Sequence, residues 1–436
     1  MTTPATLIRT VRTRIVNWLA KRYLARTAKD GFDLSKMSLI PSAALMPLRR
    51  HGLDPVPDLA QVRASEPISK LPVPLSRDVW LVTGYQEAKA ILGRSGGFSN
   101  DFNNLIGTAG ATAEQNPGGL GFSDPPAHTR LRRLLTPEFT IRRLSRLAPR
   151  IDDIVTGVLD DMEAKAASGE AVDLWESFAL GIPTQTVCEL LGVAYPDRAG
   201  FQQLAVSRFD LFGGASAALG AVSESLEYLQ GLVAKQRQEP GDGLLGALIR
   251  DHGDEIDDLE LAGLADGVLT GGLESTASML ALGVLVLLDS SDARQAALGD
   301  ADSVHRFVEE MLRYLSVVQV AFPRFATEDV DIAGVRIHKD DIVIVSLSGS
   351  NRDASLVEDG DPERFDPSRK PSQHLAFSWG IHRCLGAELA RMELRAAYPA
   401  LVRRFPNMKL AVPQDELAFR GTSIVYGLDA LPVLLG

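Results

Sequence analysis

Phe377-Ser378-Trp379-Gly380-Ile381-His382-Arg383-Cys384-Leu385-Gly386 sets one cysteine on a glycine-flanked loop, just before an amphipathic helical pattern that runs from Leu385 to Arg403. Free N–H groups at a helix start supply positive potential and hydrogen-bond donors, which is what a thiolate needs. Gly380 and Gly386 lack the Cβ that would hold backbone or a flat ligand at a distance. A lone cysteine is commonly no more than a small buried apolar residue. The reading of Cys384 therefore turns on whether the rest of the chain is arranged to use its sulfur.

The chain has 436 residues, 45% hydrophobic and 23% charged, a soluble globular composition with length for a large core. A formal net charge of −11 argues against a nucleic-acid partner. Two cysteines, Cys188 and Cys384, are too few for a disulfide framework and suit a reducing cytoplasm. Cys188 lies on the apolar side of the helical pattern at 184–192 and reads as core. Residues 4–26 carry Arg9, Arg12, Arg14, Lys21, Arg22 and Arg26 without an acid, and their apolar residues recur at helical spacing. Their apolar runs fall short of the ~18 residues of a membrane span. Such a helix either lies on an anionic membrane surface or docks on the body, and the soluble composition favours docking.

Val79–Thr83 predicts a strand and Gln86–Leu92 a short helix. From Ser95 to Gly121 the chain is rich in Gly, Asn, Thr and Ala without periodicity, and long irregular segments are usually functional. Asp124-Pro125-Pro126 opens a helix that Asp124 can cap, and His128 and Arg132, four apart, share one face of it. Residues 142–191 are helical apart from breaks at Ser168-Gly169 and a strand-like Ala171–Leu174. A further pair, 197–212 and 215–238, is joined through Phe212-Gly213-Gly214. Residues 256–290 read as one long helix, apolar nearly all round and hence buried. Its middle, Thr270-Gly271-Gly272-Leu273-Glu274-Ser275-Thr276, breaks the rules of a buried helix. Each glycine costs about 1 kcal/mol, and a carboxylate among leucines costs more unless paired or protonated. Local violations of this kind mark function.

Taken together these stretches resemble the cytochrome P450 family. The Phe-x-x-Gly-x-His-x-Cys-x-Gly loop departs from the family pattern at Ser378, where glycine is usual. Glu310-x-x-Arg313, Asn351-Arg352-Asp353, Pro362–Pro367 and His374–Phe377 follow in the family's order. The resemblance implies a mainly α fold with a smaller β-rich region, forming one haem domain over 37–436 behind an extension at 1–36. It implies haem b, with Cys384 as the thiolate ligand of the iron. By the same resemblance His128, Arg132, Arg324 and His382 hold the propionates, and Phe377, Gly380 and Gly386 shape the cofactor loop. Gly271 and Gly272 line the oxygen site, Glu274 is the acid of a proton relay, and Ser275 takes an alcohol position that is usually threonine. Thr276, about 100° further round, is the poorer candidate. Glu310, Arg313 and Arg352 lock the frame. Substrate contacts fall on Phe98, Phe102, Leu105, Ile106 and Val318, with Phe209 and Phe212 on a lid.

The function so implied is a cytoplasmic monooxygenase that splits O2 with two electrons and two protons. One oxygen leaves as water and the other attacks a C–H bond or alkene of a largely apolar small molecule. No flavin or nicotinamide domain fits beside a haem domain in this length. Electrons then come from a ferredoxin or flavodoxin with its reductase, docking on a patch of Arg130, Arg133, Arg383 and Arg391. The alternative is oxidative coupling without oxygen insertion. A haem sensor or electron carrier would not need the glycine-acid-alcohol set.

Overall fold

Asp257 starts the longest helix, Asp258–Asp289, by accepting a hydrogen bond from the Glu260 amide at 2.8 Å. Its 32 residues run on the order of 48 Å at ~1.5 Å each, enough to cross the molecule. By length and composition this helix could span a membrane, yet 78% of its apolar window is buried against protein. Helices Gly181–Leu191, Ala215–Gln238 and Ala387–Arg404 pack on it and, with Ala148–Lys165 and Ala301–Leu315, enclose a single large apolar cluster. Cys188, fully buried there, has its thiol pushed up to about 12 by burial. The computed structural model describes residues 41–73, 77–94, 96–101, 120–193, 198 and 215–436. The basic helix at 4–26, and with it the boundary at residue 36, lies outside them.

A smaller β region flanks the helices. Its main sheet orders Ile68–Leu71, Val79–Val82, Ile342–Val345, Arg324–Ala326 and Phe98–Ser99. Val79–Val82 pairs in parallel with Ile342–Val345 and is buried at all four residues, as a continuous apolar run requires. The sheet and the helix Tyr85–Leu92 make a second apolar cluster, and Val318 sits where it meets the first.

A buried ion pair on the helix Ala301–Leu315 holds the segment that follows the sheet. Glu310 and Arg313, 2% and 1% exposed at their side chains, meet in a two-pronged contact of 2.7 and 2.8 Å. Arg313 also donates to the carbonyls of Asn351, Pro362 and Arg364. Arg352 is held by Glu363, by the Tyr314 carbonyl and by Asp54, with its guanidinium 3.9 Å from the Tyr314 ring centre.

The cysteine-loop helix begins at Ala387, two residues later than the apolar pattern predicts. Gly386 turns its N–H to the Cys384 sulfur instead of into the helix, so the last residues of the loop wrap around that atom.

Breaking a buried pair strands a charge, which costs about 3–5 kcal/mol. Arg313→Ala should lose stability on that scale in denaturant unfolding, whereas Lys370→Ala, whose Glu358 partner is fully exposed, should leave the midpoint where it was.

Candidate active site

The cysteine loop is closed by two backbone hydrogen bonds of 2.8 Å, Cys384 N–H to the Phe377 carbonyl and Ser378 N–H to the Leu375 carbonyl. Ser378 lies at φ 59°, the left-handed region that favours glycine. The departure from the family pattern thus stores strain of about 1 kcal/mol in the loop. The Cys384 side chain is accessible. Surrounding protein raises its thiol, while the Gly386 N–H and the charges of Arg132, Arg383 and Arg391 pull toward the thiolate. Phe377 packs on the helical cluster and lies beneath the Arg391 guanidinium, 4.7 Å away.

The four loop and helix glycines divide their duties differently from the sequence reading. A Cβ on Gly380, at φ 73°, would collide with the Leu92 carbonyl, so its smallness serves backbone packing and not a flat ligand. Gly386 has open space in that direction. On the long helix, a Cβ on Gly272 would come 3.1 Å from Val187, whereas Gly271 faces open space. Gly272 therefore lets two helices close up, while Gly271 is exposed to open space. Gly267, Thr270 and Gly271 form an accessible stripe at helical spacing on a helix that is otherwise mostly buried.

Basic side chains converge beside the sulfur. His128, 2% exposed, packs against His382 with ring centres 4.3 Å apart and planes tilted by 47°. Neither nitrogen of His128 has a partner, nor has His382 Nδ1. Arg324, 4% exposed, donates to the Phe322 carbonyl and is pushed down to about 10 by burial. His382 is pushed down to about 3 by burial and by the neighbouring Arg324, His128 and Arg132. The acid that acts on this group among the described residues is Asp124, which favours the charged forms of His128 and Arg324. Orphaned donors and unbalanced positive charge in a buried setting call for an anion. Two carboxylates of a haem fit that demand, so the residues present suit the cofactor.

Asp124 does not cap the helix Ala127–Leu135. Its carboxylate instead accepts from the Ser99 hydroxyl and, at 2.8 Å, from the Asn100 amide, pinning the end of the sheet to this corner. Glu274, 8% exposed, is pushed up to about 7 by burial, against the pull of Arg420 at 3.4 Å. Arg420 is shared with Asp429 at 2.9 Å and lies 4.5 Å from the Trp175 ring centre. The Ser275 hydroxyl donates to the Gly271 carbonyl at 2.9 Å, an internal helix bond that competes with any relay duty. Thr276 is buried.

Phe98 pairs with Ala326 and packs on the sheet cluster, because strand pairing turns it there. Phe102, Leu105, Ile106, Phe209 and Phe212 lie outside the described residues. The basic patch is largely neutralised: Arg130 pairs with Glu260, Arg133 with Glu255 at 3.1 Å, and Arg391 with Glu309 at 2.6 Å. Arg383, exposed, is the member for which no ion pair is seen among the described residues. Arg420 and Glu309 were not read from the sequence. A lone cation in the apolar C-terminal segment and a doubled Glu309-Glu310 were the available signals.

A carboxyl raised from 4.5 to about 7 is favoured neutral in the folded state, so its ionisation removes stability as pH rises through that interval. Glu274→Gln should stabilise the protein increasingly between pH 5 and pH 8, by up to ~3 kcal/mol, in denaturant unfolding at each pH. A gain that is flat with pH would mean that Glu274 is ionised in the fold.

A cytochrome P450 family model matches residues 73–305 and 302–419. Cytochrome P450 165B3 of Amycolatopsis orientalis is 39% identical over 396 residues, 88% of this chain and 97% of that protein. Cytochrome P450 monooxygenase PikC of Streptomyces venezuelae is 40% identical over 384 residues, 87% of this chain and 91% of that protein. The crystal structure of OxyC, described as implicated in an oxidative C–C coupling reaction during vancomycin biosynthesis, is similar at TM-score 0.79 and 37% identity, covering 88% of this chain and 95% of that one. Sequence, helical architecture and the cation-rimmed cysteine loop agree, and the chain belongs to the cytochrome P450 family of haem-thiolate oxidoreductases.

Proposed function

We propose that this enzyme inserts one atom of O2 into a C–H bond or alkene of a largely apolar small molecule. The observation that carries the proposal is the set of buried His128 and Arg324 with half-buried Arg132 and His382, whose histidines keep orphaned ring nitrogens, beside the accessible sulfur of Cys384. In this reading those four side chains hold the propionates of haem b and Cys384 is its iron ligand. The haem, when bound, supplies reductive oxygen activation. The chain supplies room at Gly271, a hydroxyl at Ser275 Oγ, and a proton held by the Glu274 carboxyl near neutral pH. Arg420 regulates that proton by favouring the ionised form of Glu274. We assign residues 37–436 to the catalytic domain, 1–36 to a basic extension that docks on it or touches a membrane surface, and the whole to the cytoplasm. Electrons come from a ferredoxin or flavodoxin with its reductase, and Arg383 is the exposed cation nearest the sulfur for docking.

A second reading, oxidative coupling without oxygen insertion, rests on the similarity to OxyC, since both reactions draw the same two protons to split O2 and differ in what is then done to the substrate. OxyC carries that reaction in its description, and PikC the monooxygenase one.

Wild-type ferrous protein under CO should show the red-shifted Soret band of a thiolate ligand, and Cys384→His should lose it while keeping haem. A histidine-like band in the wild type would sink the proposal. Ser275→Ala should leave haem content and substrate binding intact but divert reducing equivalents to hydrogen peroxide, and Ser275→Thr should restore coupling through its restricted rotamer. Coupling in Ser275→Ala as tight as in the wild type would remove Ser275 from proton delivery.

A further inference from the structure

Helical neighbours point about 100° apart, so the doubled carboxylate Glu309-Glu310 serves two sides of its helix. Glu310 holds the frame. Glu309, 6% exposed, faces the cysteine loop instead. Its carboxylate accepts from Arg391 Nε at 2.6 Å and Nη2 at 2.9 Å, and lies 3.2 Å from His374 Nε2. The Ala376 N–H donates to His374 Nδ1 at 3.3 Å, so Nε2 carries the proton that is given to Glu309. Burial keeps this imidazole neutral. The Arg391 guanidinium, held on two sides, lies 4.7 Å from the Phe377 ring centre, and its charge reaches the Cys384 sulfur. Both ends of the circuit, the Ala376 amide and the Phe377 ring, belong to the stretch that leads into the cysteine loop. Its two charged members come from other elements, helices Ala301–Leu315 and Ala387–Arg404. Packing alone would be served as well by apolar residues of the same volume, whereas a two-pronged buried pair fixes a full charge in one place.

We propose that Glu309 and His374 are positioning residues that hold the Arg391 charge at a set distance from the Cys384 sulfur, and that this charge sets how readily the iron bound there is reduced. The proposal rests on Cys384 being the haem ligand. A fixed positive charge favours the state that carries the additional electron, and partial burial keeps it from being screened by salt. Glu309 offsets part of that charge, while neutral His374 fixes orientation without adding any. Arg391 thereby acts inside the protein and is removed from the docking surface.

The test is the midpoint potential of the reconstituted enzyme by anaerobic spectroelectrochemistry, after the ferrous-CO band of each protein has been recorded. The band of the wild type decides the ligand, and the potentials of the variants decide the role of Arg391. Arg391→Met keeps an apolar stem over Phe377, and should lower the ferrous-to-ferric ratio at a fixed potential about tenfold, or ~59 mV for one electron. Arg391→Lys should recover most of that shift. Glu309→Gln leaves the guanidinium uncompensated and should move the ratio the other way, and the double variant should return toward wild type. Wild-type potentials in Arg391→Met and Glu309→Gln, with the red-shifted band intact, would overturn the proposal. So would loss of haem from both single variants, which would assign the cluster to folding alone.

Discussion

A guanidinium that water cannot reach must find its hydrogen bonds within the protein. Arg313 finds two on Glu310 and one each on the carbonyls of Asn351, Pro362 and Arg364, and those carbonyls belong to the chain that leads toward the cysteine loop. From Asn351 the constraint continues. Its side-chain oxygen accepts from the Leu375 amide at 2.6 Å, and the Leu375 carbonyl accepts from Ser378. Three short steps therefore join a buried ion pair to the residue that turns the loop left-handed. Glu309 reaches the same loop from the next position on the helix. The helix Ala301–Leu315 thus carries adjacent acids of which one fixes where the sulfur sits and the other sets the charge beside it.

The chain's own pattern shows how much of this can be read without coordinates. The long helix predicted at 256–290 spans Asp258–Asp289, and the short helix predicted at Gln86–Leu92 spans Tyr85–Leu92. Both are set by local periodicity, which sequence displays directly. The convergence of His128 with His382 was legible through family order alone, because 254 positions separate them and spacing carries no trace of their contact. Two failures have a shared physical cause. A helix that is apolar nearly all round shows no polar face in its sequence, so nothing there separates Gly271, on the accessible stripe, from Gly272, against Val187. Asp124 reads as a helix cap from its neighbours, yet the Ser99 hydroxyl and Asn100 amide compete for the same oxygens from a strand 25 residues earlier. Pairings such as Arg420 with Glu274, 146 residues apart, are decided by tertiary packing and leave no local mark.

Glu274 shows what such a pairing does. Arg420 divides its guanidinium between a buried acid and the exposed Asp429. It stabilises the ionised form of Glu274 only weakly, so the carboxyl remains close to neutrality in its protonation. A stronger partner would fix the carboxylate as an anion, and an apolar neighbour would fix it as an acid. The intermediate arrangement leaves it able to give up and regain a proton, at a cost in stability that a purely structural helix would not carry.

The corner where His128, Arg132, Arg324 and His382 meet also constrains how the molecule is made. Most of the helical cluster and the sheet can condense from apolar contacts alone, since their side chains need nothing but each other. That corner instead gathers the guanidiniums of Arg132 and Arg324 with two histidines whose ring nitrogens are unpartnered, and a dianion would complete it. For a newly synthesised chain, an anion bound at this corner would favour the state in which the two apolar clusters have already met. Cofactor supply would then add to the stability of the assembled chain by mass action.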